Sequence, residues 1–182
     1  RVLVLLDEAY FEYACHLSDY PDSMHYRHDN VITLRTFSKV HGLAGFRVGY
    51  GFAHEDLIEN LNKVKLPFEP SYPAQIAALS ALDDTKFVRQ TVVNCHAEMK
   101  IMEKAFHDIG IRTIPSAANF ITLVFPSEKE AHAFNKEMLY KGIILRHLPG
   151  WGLPNCVRVT VGTEEENAYV IESIYSKKIT NY

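Results

Sequence analysis

Five consecutive apolar residues, Val2-Leu-Val-Leu-Leu6, run into an acid, Asp7. A strand with one wet face alternates apolar and polar positions. A run with no alternation fits a strand covered on both faces, as in a parallel sheet flanked by helices. Val31-Ile-Thr-Leu-Arg35 reads as a second buried strand and Arg47-Val-Gly-Tyr-Gly-Phe52 as a third. Such strands need neighbours, and a chain of 182 residues, 47% of them hydrophobic, can bury a core large enough to supply cover. The first run starts at once from Arg1, with no initiator Met and none of the features of a signal peptide. The expectation is a chain that begins inside a domain. A formal net charge of −3 offers no basic footprint for nucleic acid or an anionic membrane. The apolar runs are too short to cross a bilayer. Three cysteines without a CxxC spacing predict reduced thiols and a cytoplasmic protein.

Farther along, His54 to Lys65 has helical spacing and is stopped by Pro67. Ser71-Tyr-Pro73 opens a second helix through Leu82, and Asp84-Thr85 caps a long one from Lys86 to Ile109, ended by Gly110. After that glycine the spacing changes. Strands are expected at Ile111 to Ile114, Asn119 to Phe125, Ile143 to Arg146 and Cys156 to Val161. A helix from Ser127 to Tyr140 would start with a capping box between Ser127 and Glu130, and the acids Glu164 to Glu166 suit the start of a last helix. The order β-β-α-β-β-α describes a small two-layer α+β domain. The sequence therefore divides into a part of a larger α/β domain with a connecting helix, residues 1–109, and a small α+β domain, residues 110–182.

The chemistry gathers behind the first two strands. Asp7 ends one and Lys39 lies just beyond the other, and parallel sheets bind ligands at the carboxyl ends of their strands. By itself a strand-end Asp is commonly a turn cap, and a single Lys a solvated charge. The surroundings of Lys39 set it apart. Thr36-Phe-Ser-Lys39, then Gly42-Leu-Ala-Gly45-Phe-Arg47, place two hydroxyls, a lysine and an arginine among glycines, a composition suited to phosphate. The spacing is not that of a P-loop. In the last strand Val157, Val159 and Val161 point one way, Arg158 and Thr160 the other. The histidines lack the spacing of a ligand set, so no metal site is expected.

Asp7-Glu-Ala-Tyr10, Leu34-Arg-Thr-Phe-Ser-Lys39, Gly42-Leu-Ala-Gly45, Arg47, Ala118-Asn-Phe120, Gly142-Ile-Ile-Leu-Arg146, Gly152-Leu-Pro-Asn155 and Val157-Arg-Val-Thr-Val-Gly-Thr-Glu-Glu-Glu-Asn167 occur here in that order. The set resembles the fold-type I aminotransferases that use pyridoxal phosphate (PLP), and within them the histidinol-phosphate aminotransferase branch. The likeness covers essentially the whole chain and implies the C-terminal half of such an enzyme. It implies that Lys39 forms the Schiff base with PLP and that Asp7 pairs with the pyridine nitrogen. It assigns Tyr10 to the phenolic oxygen, Thr36, Ser38 and Arg47 to the phosphate, Arg158 to a substrate carboxylate and Arg146 to a substrate phosphate. His147 stands where this branch often has proline, a departure beside that phosphate position. The implied reaction moves an amino group between L-histidinol phosphate and 2-oxoglutarate in histidine biosynthesis, in a cytoplasmic homodimer with no nucleic-acid or membrane partner. The alternatives are an aromatic amino acid aminotransferase of the same branch, or an inactive fragment lacking the N-terminal half.

Overall fold

The structure, a computed structural model, describes residues 2–26 and 28–176. Arg1 at the head of the first run and residues 177–182 of the expected small domain lie outside them. The chain forms two compact units, Arg1–Val92 and Val93–Tyr182.

The first unit holds a three-stranded sheet in the order β1 (Val4–Asp7), β2 (Val31–Thr36), β3 (Gly49–Ala53). As expected, β1 and β2 run parallel, in a register that sets Asp7 opposite Leu34. β3 departs from the parallel reading and is antiparallel to β2, with Thr36 opposite Gly49. The reason is the connection. A parallel return needs a crossover, usually a helix, whereas the 37–48 segment carries only a 3-10 turn at Ala44–Phe46. The expectation of cover on both faces also fails for β1, where Leu5 is 61% exposed and Leu3, just before the strand, is 52% exposed. Of that run only Leu6 is half-buried, and Val2 to Leu5 are exposed. Four side chains, Phe37, Val48, Ala74 and Ala78, form the buried cluster behind Lys39, with Leu43 and Ala81 packed on it.

Helix α1 (Phe11–Ala14) follows β1, and α2 (Glu55–Val64) and α3 (Tyr72–Asp83) follow β3. His54 caps α2 by accepting from the Asp56 amide at 3.3 Å, and Ser71 caps α3 through the Ala74 amide. Asp84 accepts from the Phe87 amide at 3.0 Å at the head of α4 (Thr85–Asp108). That helix ends as expected at Gly110, whose φ is +85°. The Ile111 amide reaches back to the Phe106 carbonyl and the Gly110 amide to His107, a Schellman ending.

The second unit follows the β-β-α-β-β-α order. Its strands β4 (Arg112–Ile114), β5 (Phe120–Val124), β6 (Arg146–Leu148) and β7 (Leu153–Thr160) form one antiparallel sheet ordered β4-β5-β7-β6. Helix α5 (Glu128–Tyr140) packs on β7 and β6, and α6 (Glu164–Tyr175) closes the unit. Met102, Phe106, Ile121, Leu123, Met138, Val157 and Val159 are fully buried at its centre. Two expectations are corrected. β6 begins at Arg146 rather than Ile143, because the Ile143 amide is spent on the Met138 carbonyl in the Schellman ending of α5. The reciprocal capping box belongs to α6, where Thr163 and Glu166 cap each other. At Ser127 the hydroxyl accepts from the Glu130 amide at 3.3 Å and donates to its carboxylate at 2.8 Å.

Candidate functional site

The parallel register brings the first group of residues together. Because Asp7 lies opposite Leu34, Asp7 and Thr36 share one face of adjacent strands and leave the sheet at its carboxyl end. Asp7 is exposed, and its Oδ1 accepts from the Ala9 amide at 3.1 Å, the turn-capping role open to any strand-end Asp. That turn starts the segment on which Tyr10 heads α1. Thr36 Oγ1 accepts from the Ser38 amide at 3.0 Å and shapes the turn that carries Lys39. The Lys39 ammonium then stands 5.3 Å from the centre of the Tyr10 ring, in cation–π range. Arg47 occupies the left-handed region at φ +54°, which costs a residue with a Cβ about 1–2 kcal/mol. Its Nη1 donates to the Ala44 carbonyl at 2.7 Å, so the loop grips the guanidinium on one side and leaves its remaining donors at the surface. Held strain of this kind clusters at ligand sites. The opposite strand contributes closeness: a Cβ on Gly49 would stand 2.8 Å from the Arg35 carbonyl oxygen.

On the opposite face of the same strand ends lies a network that the sequence reading left without a role. Arg35 Nε donates to Glu8 Oε2 at 2.9 Å, and its Nη2 lies 2.8 Å from the same oxygen. Nη2 also donates to Asp22 Oδ1 at 2.9 Å. Glu8 Oε1 accepts from the Ser23 amide at 3.3 Å, and the guanidinium lies 3.5 Å from the centre of the Phe11 ring. Burial draws the Arg35 guanidinium down, but the hydrogen bond and charge of Glu8 outweigh it and leave the group above its ordinary value. The Met24 amide, against a smaller opposing effect of burial, and then Arg35 hold Asp22 below the ordinary carboxylate value. His41 was also missed. Its side chain is buried against Phe37, with ring centres 5.0 Å apart, and its Nδ1 has no hydrogen-bond partner. Period-two alternation was the available signal for the pair: Glu8 follows Asp7 and Arg35 precedes Thr36, so both must face away from them.

The second unit carries the other two named residues. Arg146 on β6 stands directly opposite Arg158 on β7, and on the other side Arg158 stands opposite Thr122 on β5. Directly opposed residues share a face, so the sheet presents a row of Thr122, Arg158 and Arg146. Val157, Val159 and Val161 are buried on the other face, as the alternation requires. The Arg158 guanidinium lies 5.0 Å from the Phe120 ring centre, and its Nε is buried with no partner. Two like charges set side by side, one with an unused buried donor, make a seat for an anion. His147, on the valine face, has its Nε2 2.6 Å from the Pro154 carbonyl oxygen. Among the described residues no group of three or more His, Cys, Asp or Glu side chains is placed to hold a metal ion.

The family model described as "Aminotransferase class I and II" matches residues 1–174. The chain is 43% identical over 176 residues to histidinol-phosphate aminotransferase 2 of Carboxydothermus hydrogenoformans, covering 96% of this chain and 48% of that protein. It is likewise 43% identical to the histidinol-phosphate aminotransferase of Akkermansia muciniphila, over 94% of this chain and 46% of that one. Among solved structures, the histidinol-phosphate aminotransferase of Sinorhizobium meliloti in complex with pyridoxal-5'-phosphate superposes with a TM-score of 0.85 at 28% identity, over 96% of this chain and 49% of that one. A solved protein from Erwinia carotovora atroseptica shares the fold, with a TM-score of 0.86 at 24% identity, over 97% of this chain and 51% of that one. The chain thus spans about half the length of the curated relatives it matches.

Proposed function

For a chain that belongs to the aminotransferase class I and II family and has the fold-type I architecture, we propose a part in PLP-dependent transamination of L-histidinol phosphate with 2-oxoglutarate. One observation carries the reading: Lys39, Tyr10, Asp7, Thr36 and Ser38 converge at the carboxyl ends of two parallel strands, with the Lys39 ammonium 5.3 Å from the Tyr10 ring centre. An amine, a phenol, a carboxylate, hydroxyls and a loop-held guanidinium are the donor set that a phosphorylated, hydroxylated pyridine aldehyde requires. When bound, PLP supplies a ring that accepts the electron pair released as a proton leaves the substrate Cα.

The chain's residues do the rest. Lys39 Nζ would hold the cofactor through its aldehyde carbon and, as a free unprotonated amine, would carry the substrate Cα proton. Asp7 would accept a hydrogen bond from the cofactor's ring N–H and so hold that proton in place. Tyr10 donates to the phenolic oxygen. Thr36, Ser38 and Arg47 hold the phosphate, Arg47 as a planar fork. In the second unit Arg158 takes a substrate carboxylate, and Arg146 takes the phosphate of the donor. The row formed by the two arginines and the unused Nε of Arg158 support that division. The working form is a cytoplasmic homodimer. Among the described residues, no helix is long and apolar enough to cross a membrane.

Borohydride reduction of the chain after incubation with PLP, followed by peptide mass spectrometry, tests the assignment. The phosphopyridoxyl label is expected on Lys39. A label found chiefly on Lys63, Lys65 or another lysine removes Lys39 from the role.

A further inference from the structure

We propose that Glu8 and Arg35 are positioning residues, a clamp on the back of β1 and β2 that sets the spacing of Asp7, Tyr10 and the Thr36–Lys39 turn on the front. The inference rests on the reading of Lys39 as the amine that takes PLP. Each partner in the clamp is the chain neighbour of a candidate site residue. Glu8 follows Asp7, Phe11 follows Tyr10, and Arg35 precedes Thr36. Arg35 touches the other two at once, bonding Glu8 at 2.8–2.9 Å and lying 3.5 Å from the Phe11 ring centre. Its second anchor, Asp22 at 2.9 Å, and the Ser23 amide on Glu8 tie the same point to the 22–25 segment.

The geometry makes these contacts rigid. The guanidinium and the Glu8 carboxylate are about nine-tenths buried, with side-chain exposures of 11% and 8%. A planar fork fixed on one carboxylate, a second carboxylate and an aromatic face has little freedom to rotate. Backbone pairing alone would leave the end of β1 free to fray, because only the Glu8 amide, on the Leu34 carbonyl at 2.9 Å, continues the ladder past Asp7. The side-chain clamp takes over where the ladder stops. In this role Glu8 and Arg35 act through Asp7, Tyr10 and Lys39 rather than on any ligand.

The test is the same borohydride labelling of the full chain, read as the ratio of label on Lys39 to label on the exposed-helix lysine Lys63. It is run well below the melting temperature of each variant. In the unmodified chain Lys39 is expected to lead. Glu8→Gln, which keeps the shape and loses the charge, should lower the ratio about tenfold, since displacement of a reacting group by an ångström costs up to a hundredfold. Arg35→Lys, which keeps a charge and loses the fork, should lower it less than Arg35→Leu, and it carries the test if Glu8→Gln does not fold. The Glu8→Gln/Arg35→Leu double variant should be no worse than Arg35→Leu alone, because the two side chains act as one unit. A purely structural pair would lower the melting temperature and leave the ratio of the folded variants within twofold of the unmodified chain, and that result overturns the clamp. If the unmodified chain labels Lys39 no faster than Lys63, the cofactor reading falls and the clamp with it.

Discussion

At position 158 a guanidinium with an unpartnered buried Nε stands directly across a strand pair from Arg146. Like charges in that relation destabilise a sheet, by about 0.2–1 kcal/mol. Arg146→Ala should therefore leave thermal stability unchanged or raise it slightly. In the active enzyme it should lower kcat/KM for histidinol phosphate by roughly one to two powers of ten, since a charge-assisted hydrogen bond is worth about 1.5–3 kcal/mol and about 1.36 kcal/mol is tenfold. A phenylalanine donor carries no phosphate and should lose less. Equal losses with both donors would take Arg146 out of the phosphate role and favour an aromatic donor. Arg158→Ala should differ on both counts. It removes the packing on Phe120 and so costs stability, and it harms both half-reactions, because 2-oxoglutarate presents a carboxylate to the same group that faces the anionic end of the donor. At this scale the sequence was informative: alternation placed Arg158 opposite the valines. It was silent on the pairing of Arg158 with Arg146, since register is a property of two strands and not of either one.

Among the elements, the helices were the most legible, because their signals are local. Ser71, Asp84, Ser127 and Thr163 all accept amide hydrogen bonds at helix starts, and Gly110 and Gly142 both take the left-handed conformation after helix ends. The box was expected at the wrong helix because both helices have a hydroxyl followed three residues on by Glu; side-chain rotamers decide which pair closes reciprocally. This difference can be measured. Thr163→Ala should cost about 1 kcal/mol or somewhat more, near the middle of the range for a lost N-cap. It also removes the hydroxyl that donates to the Glu166 carboxylate at 3.1 Å. Ser127→Ala should cost about as much, since its hydroxyl makes the same two bonds to Glu130, but Glu166→Ala should cost more than Glu130→Ala, because Glu166 also accepts from the Thr163 amide at 2.8 Å. Urea titration of the two Glu variants checks this, and equal losses would show that the Glu166 arm of the capping box contributes nothing. Strands were less legible for a physical reason. The start of β6 depends on whether the Ile143 amide is free to join a ladder, and the preceding helix had already used it.

Taken as a whole molecule, the chain leaves apolar surface bare. Among the described residues β1 is an edge strand, paired only with β2, and Val2 and Leu5 are 76% and 61% exposed. Phe68 is 95% exposed and Val64, at the end of α2, 76%. An open apolar edge is a template for pairing with another chain. Light scattering of the isolated chain should give a mass that rises with concentration above the 20.8 kDa of one copy. A constant monomer mass would show that these surfaces do not associate. The apolar run before Asp7 correctly predicted a parallel pairing, but it does not say how many neighbours a given stretch of polypeptide supplies. The sequence by itself determined the long helices and the residues at their ends, the alternation of the last strand, and the residue types from Asp7 to Arg158 that point to a phosphorylated cofactor and anionic substrates. These follow from short-range sterics, periodicity and side-chain chemistry. Only the tertiary structure decided that β3 runs antiparallel, that Arg146 faces Arg158, and that Arg35 joins Glu8, Asp22 and Phe11 behind the candidate site. Each of these is a contact between segments far apart in the chain, set by register and packing, and local sequence carries no record of which distant partner a side chain will meet.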